Sequence, residues 1–138
     1  MENGEKMFIT KVKVYFYDAD PAGIIFYASL FKYVHAAYEE FMRSLHTERN
    51  FFFDKDYVLP IIHADADYIK PIKVGDELEI ELMVSLLKKS SFELTYRFYK
   101  NSREFSAIAK TVHVCVLKEK FEKIELPEDF YNKLKINL

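Results

Sequence analysis

The sequence predicts an α+β domain in which a curled, antiparallel five-stranded sheet wraps around one long helix. Three observations carry this expectation. Only residues 27–46 keep apolar residues at helical spacing over several turns. Five other stretches read as strands, separated by turn-forming residues such as "GD" and "KKSS". The apolar side of the helix must be covered, and the sheet is the surface available to cover it.

The elements follow in order. In "FITKVKVYFY", residues 8–17, Phe8, Thr10, Val12, Val14 and Phe16 fall on one face and Lys11 and Lys13 on the other, as in a half-buried strand. The helix repeats Tyr27, Phe31, Val34, Tyr38, Phe41 and Leu45, with Glu39 and Arg43 as an i,i+4 pair on its more polar side. After a loop around "TERNFFFDKD", "YVLPIIHADADYIKPIKV" reads as a strand. Pro60 and Pro71 imply an edge or interruptions there. "ELEIELMVSLL" sets Glu77, Glu79 and Glu81 against Leu78, Ile80 and Leu82. "FELTYRFY" and "FSAIAKTVHVCVLK" supply two more strands around the turn "NSRE". "LPEDFYNKLKI" closes the chain as a short helix with Pro127 near its first position.

At 138 residues the chain makes one domain, 1–138, with enough apolar side chains for a real core without disulfides or metal. Its net charge of −2 provides no general basic surface, so nucleic acid is not an expected partner. Cys115 has no second cysteine to pair with and reads as a small buried hydrophobe. "MENGEKMF" lacks the features of a signal peptide, and no apolar run reaches transmembrane length; a cytoplasmic protein without stable membrane insertion is expected.

Chemistry concentrates in "YDADPAGIIFY", residues 17–27. Two carboxylates, Asp18 and Asp20, precede an apolar run, with no lysine or arginine close by in sequence. Pro21 restricts Asp20, and Gly23 opens backbone geometries closed to other residues. The loop thus delivers a carboxylate to a helix start, where unpaired N–H groups favour negative charge and can hold a polarised carbonyl oxygen. Helix capping is the plainer reading of either aspartate. The second "DAD", Asp65 to Asp67, alternates with Ala64, Ala66 and Tyr68 and reads as one strand face.

"DADPAGIIFY" followed by a long helix resembles the signature of the hotdog-fold acyl-CoA thioesterases, in particular the 4-hydroxybenzoyl-CoA thioesterase-like family, and the element order agrees over nearly the whole chain. The resemblance implies that Asp20 is the catalytic carboxylate, as nucleophile or general base, and that the Tyr27 backbone N–H polarises the thioester carbonyl. Gly23 would shape the substrate-binding loop, and Asp18 would shape it too. "LLKKSSF", 86–92, resembles a CoA-contacting turn, so that Lys88 and Lys89 would pair with phosphate and Ser91 would donate a hydrogen bond; a solvated lysine turn is the other reading. "HAAYEEF" and "LPIIHADADYIKP" resemble segments of the 1,4-dihydroxy-2-naphthoyl-CoA thioesterases, which suggests an aromatic acyl group and a site-facing His63, against a purely structural histidine. The resemblance also implies a homodimer or homotetramer with its sites at subunit interfaces, and hydrolysis that needs no cofactor.

Other residues have plainer readings. His35 can pair with Glu39 at i+4, and His46 and His113 have no companions at metal-ligand spacing, so no metal is expected. Glu39 and Glu40 are the alternative catalytic carboxylates. Two rivals stand beside the hydrolase. A dehydratase of this fold would carry a histidine near the helix start, where this chain has Asp20. A non-catalytic acyl-thioester or lipid-binding module would keep the pocket without needing Asp20.

Overall fold

The computed structural model describes residues 7–45, 56–101 and 103–138. His46 and the loop residues 47–55 lie outside them. The elements are β1 (Phe8–Lys13), α1 (Tyr27–Ser44), β2 (Tyr57–Val58), β3 (Ile61–Tyr68), β4 (Glu77–Leu87), β5 (Ser91–Lys100), β6 (Glu104–Val114), β7 (Val116–Leu117) and α2 (Glu128–Ile136). Five strands form an antiparallel sheet in the order β1-β4-β5-β6-β3, and β2 pairs with β7 in a separate ribbon.

The alternation in β4 and β5 settles the register. Leu78, Ile80, Leu82 and Val84 face inward beside Phe92, Leu94, Tyr96 and Phe98, all buried. Above them α1 presents Leu30, Tyr33, Val34, Ala37, Tyr38, Phe41 and Met42 at spacings of three and four. On β6 the inward positions include the small Ala107 and Ala109. Phe130 and Leu134 of α2 join the same core, with Phe130 edge-on to Phe92 at 5.7 Å. Truncating a side chain as enclosed as Leu30 to alanine costs about 2–5 kcal/mol. The outer glutamates find a cation: Arg103, from the β5–β6 turn, pairs with Glu79 and with the buried Glu81.

Several boundaries differ from the sequence reading, each for a local reason. β1 ends at Lys13 instead of running to Tyr17. A turn of 3-10 helix at Phe16–Asp18 follows, and Phe16 is 86% exposed. The cause is a competing side-chain bond, because the Asp18 carboxylate accepts the Tyr15 N–H at 3.1 Å and pulls the chain out of the sheet. Tyr27 is exposed rather than part of the helix's buried side. The single strand read around residues 57–74 divides into β2 and β3 across Pro60, which cannot donate to a ladder. β3 is an edge strand, and the buried Cys115 separates β6 from β7.

Candidate active site

Residues 18–26 carry the chain from β1 to α1, and Asp18 lies at their base, 1% exposed. One carboxylate oxygen accepts the Tyr15 N–H, and the other is paired with the ammonium of Lys32 on α1. Its carbonyl accepts the Ser29 hydroxyl at 2.7 Å and the Phe26 N–H at 3.4 Å. Burial alone would raise this carboxyl, but the Lys32 and Tyr15 hydrogen bonds outweigh it and hold the group below its ordinary value of 3.8. Asp18 is therefore neutralised after all, by a lysine 14 residues further on.

Asp20 has a different environment. It is exposed, and its Oδ1 accepts the Ala22 N–H at 2.9 Å in a turn closed on itself. Its backbone completes the turn: the Gly23 N–H donates to the Asp20 carbonyl at 2.9 Å, and the Asp20 N–H donates to Ile24 at 3.0 Å. Gly23 has φ +79°, in the left-handed region that side chains disfavour. The far side of the loop is stitched to residues 72–74, with Ile25 N–H on the Ile72 carbonyl at 2.9 Å and Val74 N–H on the Gly23 carbonyl at 3.1 Å. Neither aspartate caps α1. The N-cap position is Phe26, without a side-chain cap, and among the described residues nothing accepts the Tyr27 N–H. Tyr68, at the end of β3, points its hydroxyl at the Tyr27 carbonyl, 3.5 Å away.

The other candidates lie elsewhere. The Lys88 N–H donates to the Ser91 carbonyl at 2.8 Å, which closes the β4–β5 turn with the lysine side chains exposed and Ser91 half-buried. That turn follows Leu87, while the Asp20 loop lies by residues 72–76 ahead of Glu77. The length of β4, about 30 Å, thus separates them within one chain. His63 lies at the Lys88 end, since β3 begins opposite the end of β6. It sits on the outer face of the sheet: Ala64, Ala66 and Tyr68 pair with the buried Thr111, Ala109 and Ala107, whereas His63 pairs with Val112 and hydrogen-bonds Asp65 at 2.8 Å.

Glu39 is bound to Arg43 at 2.7 Å, and Glu39 and Glu40 line a hollow of about 290 Å³ along β1, the opposite edge from β3. The ring of His35 lies 5.7 Å from that of Tyr38. Among the described residues no group of three potential ligands could hold a metal. Lys32 escaped the sequence reading, although it is the lone lysine, arginine or carboxylate between residues 21 and 38.

An antiparallel sheet curled about one helix, entered through a carboxylate-bearing loop, defines the hotdog class of thioester hydrolases. Comparison with known proteins agrees. Residues 14–134 match the Thioesterase-like superfamily, and the chain belongs to that family. It is 38% identical over 123 residues to a 1,4-dihydroxy-2-naphthoyl-CoA hydrolase of Synechococcus elongatus, covering 88% of this chain and 90% of the relative. The fold is similar to that of a 1,4-dihydroxy-2-naphthoyl-CoA thioesterase from Synechocystis, at 28% identity and a TM-score of 0.85 over 94% of this chain and 96% of that one. A gentisyl-coenzyme A thioesterase is similar at 26% identity and a TM-score of 0.81, over 92% and 99% of the two chains. The protein is accordingly a thioesterase acting on acyl-CoA.

Proposed function

We propose that this thioesterase hydrolyses a hydroxylated aromatic acyl-CoA to the free acid and CoA, with Asp20 as its catalytic carboxylate. The observation that carries the reading is the contrast within one loop. Asp18 is buried and neutralised, whereas Asp20 has no paired cation among the described residues and stands seven residues before a helix-start N–H that nothing among them accepts. The Tyr27 N–H takes the thioester oxygen as it gains negative charge, at the positive end of the helix. Asp20 then acts by one of two routes. It attacks the carbonyl carbon, the C–S bond breaks with CoA thiolate departing, and water hydrolyses the mixed anhydride. Or it takes a proton from water as that water attacks the same carbon, and the C–S bond then breaks with CoA thiolate departing. Both routes consume one water and need no cofactor.

The aromatic class is supported by relatives that act on 1,4-dihydroxy-2-naphthoyl-CoA and gentisyl-CoA. The CoA end is drawn to Lys88 and Lys89, whose charges suit phosphate, with Ser91 and His63 at the same end of the sheet. These residues lie a strand's length from Asp20, and a second copy of the chain removes that distance. β3 has no partner strand on its outer side among the described residues, and Ile61, Ile62 and Tyr68 are exposed along it. Two β3 edges paired antiparallel about a two-fold axis place the Lys88 end of one chain beside Tyr27 and Tyr68 of the other. A homodimer with composite sites follows.

The test is thiol release from a panel of short aliphatic, long aliphatic and hydroxylated aromatic acyl-CoAs. Highest kcat/KM is expected on the aromatic members. A preference for long aliphatic chains would refute the substrate class.

A further inference from the structure

Among the described residues the Asp20 side chain hydrogen-bonds only the Ala22 N–H of its own turn, so its direction is decided by the backbone of residues 18–26. That backbone is anchored at Asp18 from three sides. The Tyr15 N–H reaches it from the end of β1. Ser29 and the Phe26 N–H hold its carbonyl at the first turn of α1, and Lys32 holds its carboxylate from the next turn. The Lys32 side chain is 55% exposed, and its ammonium lies 5.1 Å from the centre of the Tyr17 ring and 5.7 Å from that of Tyr33. Asp18 belongs to the loop that also carries Asp20, and Lys32 to the helix that begins with the Tyr27 N–H. The pair thus joins the two halves of the proposed catalytic apparatus without touching either.

We infer that the Asp18–Lys32 pair is a positioning clamp for thioester hydrolysis, fixing the Asp20 carboxylate relative to the Tyr27 N–H. The inference rests on the proposed roles of Asp20 and Tyr27. Its physical basis is that a buried carboxylate stripped of its cation cannot stay as it is. It takes up a proton or moves toward water, and either response loosens the turn that aims Asp20. A displacement on the order of 1 Å at a reacting group lowers the rate by about 100-fold. Substrate binding, which draws on CoA contacts that are not part of the 18–26 loop, is much less affected.

Steady-state kinetics on the best acyl-CoA, with rates expressed per folded protein, test this with Lys32→Met, Lys32→Arg, Asp18→Asn, the Lys32→Met/Asp18→Asn double variant and Asp20→Asn. Lys32→Met is expected to lower kcat about 10- to 100-fold with KM nearly unchanged. Lys32→Arg, which keeps the charge, restores most of the rate. Asp18→Asn is close to isosteric and keeps an acceptor for the Tyr15 N–H, while its amide NH2 replaces the oxygen that accepts from Lys32, so it breaks the pair from the other side. The double variant is expected to be no slower than the slower single one, as for two residues acting as a unit. The clamp is overturned if Lys32→Met and Asp18→Asn keep wild-type kcat per folded molecule while Asp20→Asn abolishes turnover; the reading of Asp20 then stands. If Asp20→Asn itself keeps wild-type turnover, the catalytic reading fails and the clamp falls with it.

Discussion

Acidification is expected to weaken the core at His113. Its imidazole is fully buried between two rings, stacked on Phe92 at 4.8 Å and on Tyr38 at 4.5 Å. A polar chain runs beside it, from the Tyr96 hydroxyl to Thr111 Oγ1 at 2.9 Å and from there to His113 Nε2 at 2.8 Å. Burial pushes the imidazole down to about 4 from its ordinary 6.5, so the folded protein keeps it neutral where the unfolded chain protonates it. The stability this confers is fully present above pH 6.5 and is lost as the pH falls toward 4. At about 1.4 kcal/mol for each pH unit, the whole effect is roughly 3 kcal/mol, of which about 2 kcal/mol is gone by pH 5. Urea unfolding at pH 7.5 and pH 5.0 measures it, with His113→Gln as the variant that cannot titrate. The variant is expected to be less stable at pH 7.5 but to lose about 2 kcal/mol less on acidification. Equal losses in the two proteins would refute the reasoning, because His113 would then titrate as it does in the unfolded chain.

Three further outcomes follow from the same structure. Gly23→Ala meets nothing within 4 Å of the added carbon, so its cost is the backbone strain alone, about 1–2 kcal/mol at φ +79°, visible as a lowered unfolding midpoint; an unchanged midpoint would contradict the left-handed turn. Ile62→Glu places a charge on the 63%-exposed edge-strand isoleucine and is expected to convert the proposed dimer to monomer by light scattering, with turnover lost; a dimer that survives would place the interface elsewhere. Reversing both charges at the β4–β5 turn, Lys88→Glu with Lys89→Glu, is expected to raise KM about tenfold at low salt with kcat unchanged, whereas an unaltered KM would make the turn merely solvated.

What could be read in the sequence was what depends on short periods. β4 and β5 alternate because one face is buried and the other meets water, so Leu78, Ile80 and Leu82 announced their side of the sheet without any knowledge of their partners. The long helix α1 was legible for the same reason. Apolar character misled where side chains surround the loop: Phe16 and Tyr27 fit the inward periods of strand and helix, yet both are exposed. Periodicity counts residue types and cannot tell a core position from an exposed apolar rim. The Asp18–Lys32 pair was out of reach because it spans 14 residues and exists only once the loop has folded back on α1. The separation of Lys88, Lys89 and Ser91 from Asp20 depends on strand direction, which a linear motif does not carry.

The central claim is that Asp20, and no other carboxylate, carries the chemistry. Free-thiol release from the preferred acyl-CoA by wild type, Asp20→Asn, Glu39→Gln and Glu40→Gln tests it directly. Asp20→Asn is expected to lower kcat by about 10²–10⁴, with both glutamate variants within a few-fold of wild type. Wild-type turnover in Asp20→Asn, or a comparable collapse in Glu39→Gln or Glu40→Gln, would contradict the claim and move the reaction to the β1 side of α1.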